Sequence, residues 1–133
     1  MINSKIFKIA SNNKFYGLKN IYTHKSITKN SKCGDKIKIE VIMQKKKIIS
    51  IRYETESCLL CEASASILAN KIKLFTINDI NQDIKILNKI VKKKGFILPI
   101  KFKVFKDLIN KDNLSRFECI MLPFKGLVKA LEL

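Results

Sequence analysis

The first clear pattern along the chain is an alternation of apolar and polar residues, the period of a half-buried strand. One run lies between Lys36 and Gln44, and a second follows three consecutive lysines at residues 45–47. Two such runs joined by a short polar turn predict an antiparallel hairpin with its apolar face on the core. A further short strand is predicted at residues 57–60. The alternating apolar residues are Ile37, Ile39, Val41 and Met43, then Ile49, Ile51 and Tyr53.

The N-terminal region carries one helical signal. Ile2, Ile6 and Ile9 recur at the spacing of a helix face, which predicts a short amphipathic helix. Residues 16–32 follow neither period, and we expect them to form a loop.

The second half of the chain is predicted to be mainly helical. Thr76 with Asp79 three residues later predicts a helix start, and Gly95 after three lysines predicts its end. Pro123 suits the first position of a last helix, whereas residues 96–104 are predicted as loop or short extended structure. The helical stripes are Ala65, Leu68, Ile72 and Phe75; Ile80, Ile84, Leu87 and Val91; and Phe124, Leu127, Val128 and Leu131.

Length and element order predict the fold class. A chain of 133 residues with 47% hydrophobic residues has the size of one compact domain, and no linker or repeat divides residues 1–133. Early strands and late helices favour an α+β fold in which a small antiparallel sheet of about three strands packs against several helices. No apolar run approaches the roughly 20 residues of a membrane helix. Early lysines also interrupt any export signal, so we expect a cytoplasmic protein without a membrane partner.

The chain is strongly basic, with a net charge of +16, and all its basic residues except Arg52 and Arg116 are lysine. Such a charge raises the hypothesis of a nucleic-acid-binding protein. The lysines are scattered, however, and few aromatic residues lie among them to stack on bases. A lysine-rich composition at solvated positions explains the charge equally well, so nucleic-acid binding stays an outside alternative.

Four cysteines in a chain without an export signal indicate metal binding or thiol chemistry. Cys33 and Asp35 flank Gly34 in a polar segment just before the first predicted strand. Cys58 follows the second strand, and Cys119 precedes the last predicted helix. Three thiolates and a carboxylate would suit zinc or the iron of a cluster. The alternative for each cysteine is burial as a small apolar side chain.

Cys58 and Cys61 also form a C-x-x-C motif. A thioredoxin-like redox pair would need a βαβ context, and a zinc ribbon would need a second such motif. The sequence shows neither. Cys61 is therefore predicted to be a neighbour of the metal site, with an accessory role at most.

The cysteines lie in three distinctive segments, which are Lys-Cys-Gly-Asp at residues 32–35, Ser-Cys-Leu-Leu-Cys-Glu-Ala-Ser-Ala-Ser at 57–66 and Arg-Phe-Glu-Cys-Ile-Met-Leu-Pro at 116–123. In this order they resemble the NifU-like N-terminal family of iron–sulfur cluster assembly scaffolds, which includes the IscU and SufU branches. The resemblance implies an α+β fold with a cluster or zinc ion at one exposed end. It assigns the metal site to Cys33, Asp35, Cys58 and Cys119.

The chain departs from this family pattern in three places. Glu118 stands where the IscU branch has a histidine, and is at most an accessory ligand. Residues 114–117 replace the LPPVK chaperone-recognition motif, so a dedicated chaperone is not implied. Cys61 stands where many relatives have a small residue, and could be a spare ligand or a persulfide relay. The long spacing from Cys58 to Cys119 is similar to that of the SufU branch.

Two functions follow from the resemblance. The first is a non-enzymatic scaffold that takes sulfur from a cysteine desulfurase, assembles a transient cluster with iron, [2Fe–2S] being the expected form, and passes it to apo-proteins or carriers. The second is a zinc-dependent sulfurtransferase of the SufU type. In either, Cys33, Cys58 or Cys119 would accept the sulfur.

Overall fold

The computed structural model describes residues 4–32 and 34–133, which form a three-stranded antiparallel sheet with helices against one face. This arrangement confirms the predicted α+β fold class. The strands are β1 (His24–Lys29), β2 (Lys36–Gln44) and β3 (Lys47–Glu56), paired in that order. The helices are α1 (Ser4–Ala10), α2 (Leu59–Asn70), α3 (Ile80–Lys93) and α4 (Phe117–Ala130), with short 3₁₀ segments at Ile72–Leu74, Ile100–Phe105 and Lys111–Arg116.

The predicted hairpin of β2 and β3 is confirmed, with one change of register. Lys45 and Lys46 form the turn with φ values of 51° and 64°, the left-handed conformation that matches the twist of a two-residue hairpin. The pairing shifts by one residue after Ile42. This irregularity turns Ile48 into the core and leaves Ile49 exposed, so the prediction that Ile49 faces the core is wrong.

The third strand lies elsewhere than predicted. Residues 57–60 include the first two residues of α2 rather than a strand, whereas residues 16–32, predicted as a loop, contain β1. The inward side chains of β1 are half-buried and mostly polar, so the strand lacks the apolar alternation that revealed its neighbours. One of them, Ser26, donates a hydrogen bond of 2.7 Å to the carbonyl of Gly126 in α4.

The helix starting after Thr76 is confirmed, with two corrections near its end. The Thr76 hydroxyl accepts a hydrogen bond from the backbone N–H of Asp79, and α3 begins at the next residue. The left-handed residue that ends it is Lys94, with φ of 57°, rather than Gly95. Residues 96–104 then include most of a 3₁₀ helix instead of extended chain. Among the described residues, no helix is both long and apolar enough to cross a membrane.

The last helix is longer than predicted. It begins at Phe117 and contains Pro123 in its interior, so the proline is not its first residue and Cys119 lies in its first turn. A proline has no N–H to donate to the carbonyl four residues earlier, here that of Cys119. A buried hydrogen bond of 2.6 Å from Ser64 of α2 to the carbonyl of Ile120 ties this turn to its neighbour. Tertiary packing therefore stabilises the helix despite the internal proline.

Gly126 allows α4 to approach the sheet closely. A Cβ atom at this position would lie 2.9 Å from Cδ1 of Ile39 and 3.3 Å from Cγ2 of Ile37. We expect Gly126→Val to lower the free energy of unfolding by about 1–3 kcal/mol, the usual range for overpacking, as measured by urea denaturation. Gly95→Val is the control, since nothing lies within 4 Å of its Cβ position. Equal losses in the two variants would contradict this account.

Candidate metal centre

A tight loop between β1 and β2 positions Asp35. The backbone N–H of Gly34 donates to the carbonyl of Asn30, and the N–H of Asn30 donates to the carbonyl of Asp35, at 2.9 Å and 2.7 Å. Gly34 has a φ of 75°, a conformation that glycine adopts without steric cost. The loop buries the Asp35 carboxylate, leaving the residue 6% exposed.

Cys58 occupies the position just before α2. Its backbone is extended, and its side chain makes no capping hydrogen bond to the helix. The thiol therefore does not cap the helix. The backbone N–H of Cys58 donates a hydrogen bond of 3.1 Å to Oδ1 of Asp35, which fixes the carboxylate beside this cysteine.

Cys119 approaches the same point from the first turn of α4. Because α2 and α4 pack together, their N-terminal ends meet beside the Asp35 loop. A carboxylate oxygen of Asp35 and the Sγ atoms of Cys58 and Cys119 all lie within 4.8 Å of one another. A tetrahedral ion with bonds of about 2.3 Å holds its sulfur ligands roughly 3.8 Å apart, so a small contraction of this group would place all three on one ion.

The second carboxylate oxygen of Asp35 is the clearest sign that this group could hold an ion. Oδ2 is buried and has no hydrogen-bond partner among residues 4–32 and 34–133. Leaving such an atom unpaired is costly, so it calls for an explanation such as an ion. The partial positive charges at the N-terminal ends of α2 and α4 would offset the negative charge of a carboxylate and thiolates. This donor set fits a metal ion or the iron of a cluster.

The other predicted site residues lie differently. Cys33 falls outside the described residues, so its place among the ligands stays a prediction. Cys61 is fully buried in the hydrophobic core and does not join the group of Asp35, Cys58 and Cys119. Glu118 is exposed, and its carboxylate forms an ion pair of 2.7 Å with the ammonium group of Lys125. Neither proposed accessory residue belongs to the described group of donor atoms that lie within 4.8 Å of one another, and their accessory roles stay predictions.

The backbone N–H of Cys58 is a feature of the site that the sequence analysis missed. This backbone group donates to Asp35, which is 23 residues away along the chain. A search for titratable side chains cannot find a backbone donor. A second such contact is the hydrogen bond from the Ser64 hydroxyl to the carbonyl of Ile120, which joins α2 to α4.

Known proteins share this fold. The chain is similar to the N-terminal part of a nitrogen-fixing NifU-like protein from Brucella abortus, with 19% identity, coverage of 98% of this chain and 91% of that chain, and a TM-score of 0.80. It is also similar to a putative iron-sulfur cluster assembly scaffold protein for the SUF system from Fervidobacterium islandicum AW-1. There the identity is 23%, the coverage 98% and 96%, and the TM-score 0.70.

Sequence comparison extends this likeness. An uncharacterized protein of Borreliella burgdorferi is 27% identical over 116 residues, which cover 84% of this chain and 77% of the relative. The family model of the NifU-like N terminal domain matches residues 2–105, well over half of the chain. Asp35 and Cys58 lie within this range, and α4 brings Cys119 to them from beyond it. The chain belongs to the NifU-like N-terminal domain family.

Proposed function

We propose that this protein is an iron–sulfur cluster assembly scaffold, which receives sulfur and iron, assembles a transient cluster and passes it to apo-proteins or carriers. The observation that carries the proposal is the buried Oδ2 of Asp35, which has no hydrogen-bond partner in the described part of the chain and lies in the group with Cys58 and Cys119. Family membership and the fold shared with a putative scaffold of the SUF system support it. A cysteine desulfurase is the proposed sulfur donor.

The proposed ligands are Cys33, Asp35, Cys58 and Cys119. Thiolates are soft ligands suited to iron in a cluster, whereas a carboxylate is harder and exchanges more readily. In a set of three thiolates and one carboxylate, the thiolates therefore hold the cluster, and the bond to the carboxylate is the one that exchanges most readily when the cluster is released. We propose that the cargo is a [2Fe–2S] cluster and that the protein acts as a scaffold rather than as an enzyme.

Cys58 is the proposed entry point for sulfur among the described cysteines. It is half-buried, whereas Cys61 and Cys119 are buried. In the transfer step, the Cys58 thiolate attacks the outer sulfur of a persulfide on the donor enzyme. A new S–S bond forms on Cys58, the S–S bond of the donor breaks, and the donor cysteine leaves as a thiolate. The step needs no further oxidant or reductant.

We propose that residues 1–133 act as one domain. The reason is that α4, which lies beyond the range of the family model, brings Cys119 to the loop that carries Asp35. Reduced thiols at the site suit a cytoplasmic location.

Metal analysis distinguishes a scaffold from a zinc-dependent sulfurtransferase, since both would use the same ligands. The full chain is purified without oxygen and incubated with a cysteine desulfurase, cysteine, ferrous iron and dithiothreitol, a thiol reductant that supplies electrons for reducing persulfide sulfur to sulfide. It is then assayed for zinc, iron and acid-labile sulfide. We expect iron and sulfide in similar amounts, with little zinc. Stoichiometric zinc that persists, without sulfide, would overturn the scaffold proposal in favour of the transferase.

A further inference from the structure

An exposed apolar surface lies at the end of α3, apart from the site just described. Ile97 and Ile100 are 87% and 86% exposed, more than any other large apolar side chain in the part of the chain that the structure describes. Leu98, between them, is buried and anchors the segment. Because Leu98 is buried while Ile97 and Ile100 face water, this segment presents exposed apolar area that a partner could cover.

Ile97 forms one wall of a groove along α3. Ile86 and Ile90 of the helix line it too, and Lys89 and Lys93 lie at its edges; its volume is about 250 Å³. The centre of the groove is therefore apolar, and its edges are cationic.

The groove also lies in a strongly basic part of the surface. Asp83, the acidic residue of α3, is already paired with Lys101 at 2.9 Å. It therefore cannot neutralise the edge of the groove. The exposed lysines of α3 and its end are Lys85, Lys89, Lys92, Lys93 and Lys94.

The backbone beside the groove adopts an unusual conformation. Lys94 and Phe96 have φ values of 57° and 42°, on either side of Gly95. Positive φ is uncommon for residues with side chains, and more so for a bulky one. This bend turns the chain so that Phe96 packs on the core while Ile97 faces the groove.

The segment next to the groove is anchored on the helix that carries Cys119. Val91 and Phe96, which neighbour Ile90 and Ile97 along the chain, share a narrow crevice with Phe117 and Ile120 of α4.

We propose that this groove, defined by Ile86, Lys89, Ile90, Lys93 and Ile97, docks a partner protein through an acidic segment that inserts an aliphatic side chain. The apolar centre would take the side chain, and the lysines would pair with carboxylates on either side. A second copy of this chain is a poor occupant, because each copy carries a net charge of +16 and like charges repel. Docking does not depend on a bound cluster.

The test measures binding of a fluorescein-labelled 12-residue peptide of interspersed glutamate and leucine to the full chain without metal, by fluorescence anisotropy. We expect saturable binding that weakens as salt is raised and is lost when the leucines become serines. The double change Lys89→Glu and Lys93→Glu should weaken binding by about tenfold or more. Ile97→Ser should weaken it by about tenfold.

Matched variants separate this groove from general attraction to a basic protein. Lys45→Glu with Lys46→Glu removes the same charge at the hairpin turn, and Ile21→Ser changes another exposed isoleucine; both should leave affinity within about twofold. Equal losses in groove and control variants would overturn the proposal. So would binding to phosphatidylglycerol vesicles without binding to the peptide, which would assign the surface to lipid. Circular dichroism checks that each variant is folded.

Discussion

Replacing Cys119 with alanine should remove nearly all bound iron and sulfide from protein reconstituted without oxygen, whereas replacing Cys61 should leave them in place. Both cysteines are buried, at 6% and 0% exposure. Only Cys119 shares a cluster of donor atoms with Asp35 and Cys58. We expect retained metal to fall at least tenfold in the Cys119 variant, because loss of a direct ligand exceeds the roughly 10–100-fold effect of losing a supporting contact. Iron and acid-labile sulfide per chain are the measurements.

Cys61→Ala serves as the control for damage to the core. It removes the same sulfur atom from a similarly buried place, so its effect on stability should be comparable. Thermal unfolding of the two variants without metal checks this. Loss of iron and sulfide in the Cys61 variant, with retention in the Cys119 variant, would reverse our assignment and make Cys61 the ligand.

The parts of the fold that the sequence predicts well are those in which apolar and polar residues alternate along the strand. The hairpin of β2 and β3 is one, because the apolar residues Ile37, Ile39 and Val41 alternate with polar residues, although Glu40 between the last two is buried as well. The strand β1 was missed because polar side chains, including Ser26, face inward there. Ser26 is satisfied by a carbonyl of α4 a hundred residues away, a contact that no local pattern contains.

The errors around α4 have a different cause. Proline is disfavoured inside a helix because it removes a hydrogen bond and crowds the preceding turn. A prediction based on local propensity therefore places Pro123 at the helix start. In the structure, buried residues on both sides of the proline, including Phe117 and Phe124, hold the helix together. Tertiary packing overrides the local preference.

The candidate site was partly predictable. The polar context of Asp35 and the position of Cys58 after a strand indicated ligands at loop ends, and the structure brings these two residues together with Cys119. The different environments of Cys58 and Cys61 were not predictable, because residues three apart share a helix face only if both lie within the helix, and the sequence does not fix where this helix begins. The helix start at Leu59 decides it by placing Cys58 outside the helix and Cys61 inside.

Replacing Asp35 with alanine should leave cluster assembly intact and slow cluster transfer to an apo-protein several-fold, because the harder and more exchangeable ligand is lost while the thiolates remain. Transfer to an apo-ferredoxin, followed by circular dichroism in the visible range, measures the rate.

Two further variants serve as controls. Asp35→Asn keeps an oxygen that can accept the hydrogen bond from Cys58 but lacks the carboxylate charge. It should behave like the alanine variant if ligation by the carboxylate matters, and like the wild type if only the hydrogen bond matters. Glu118→Ala, which removes a carboxylate paired outside the group, should transfer at the normal rate. Failure of the Asp35→Ala variant to assemble any cluster would show that this aspartate is needed to build the site rather than to release its cargo.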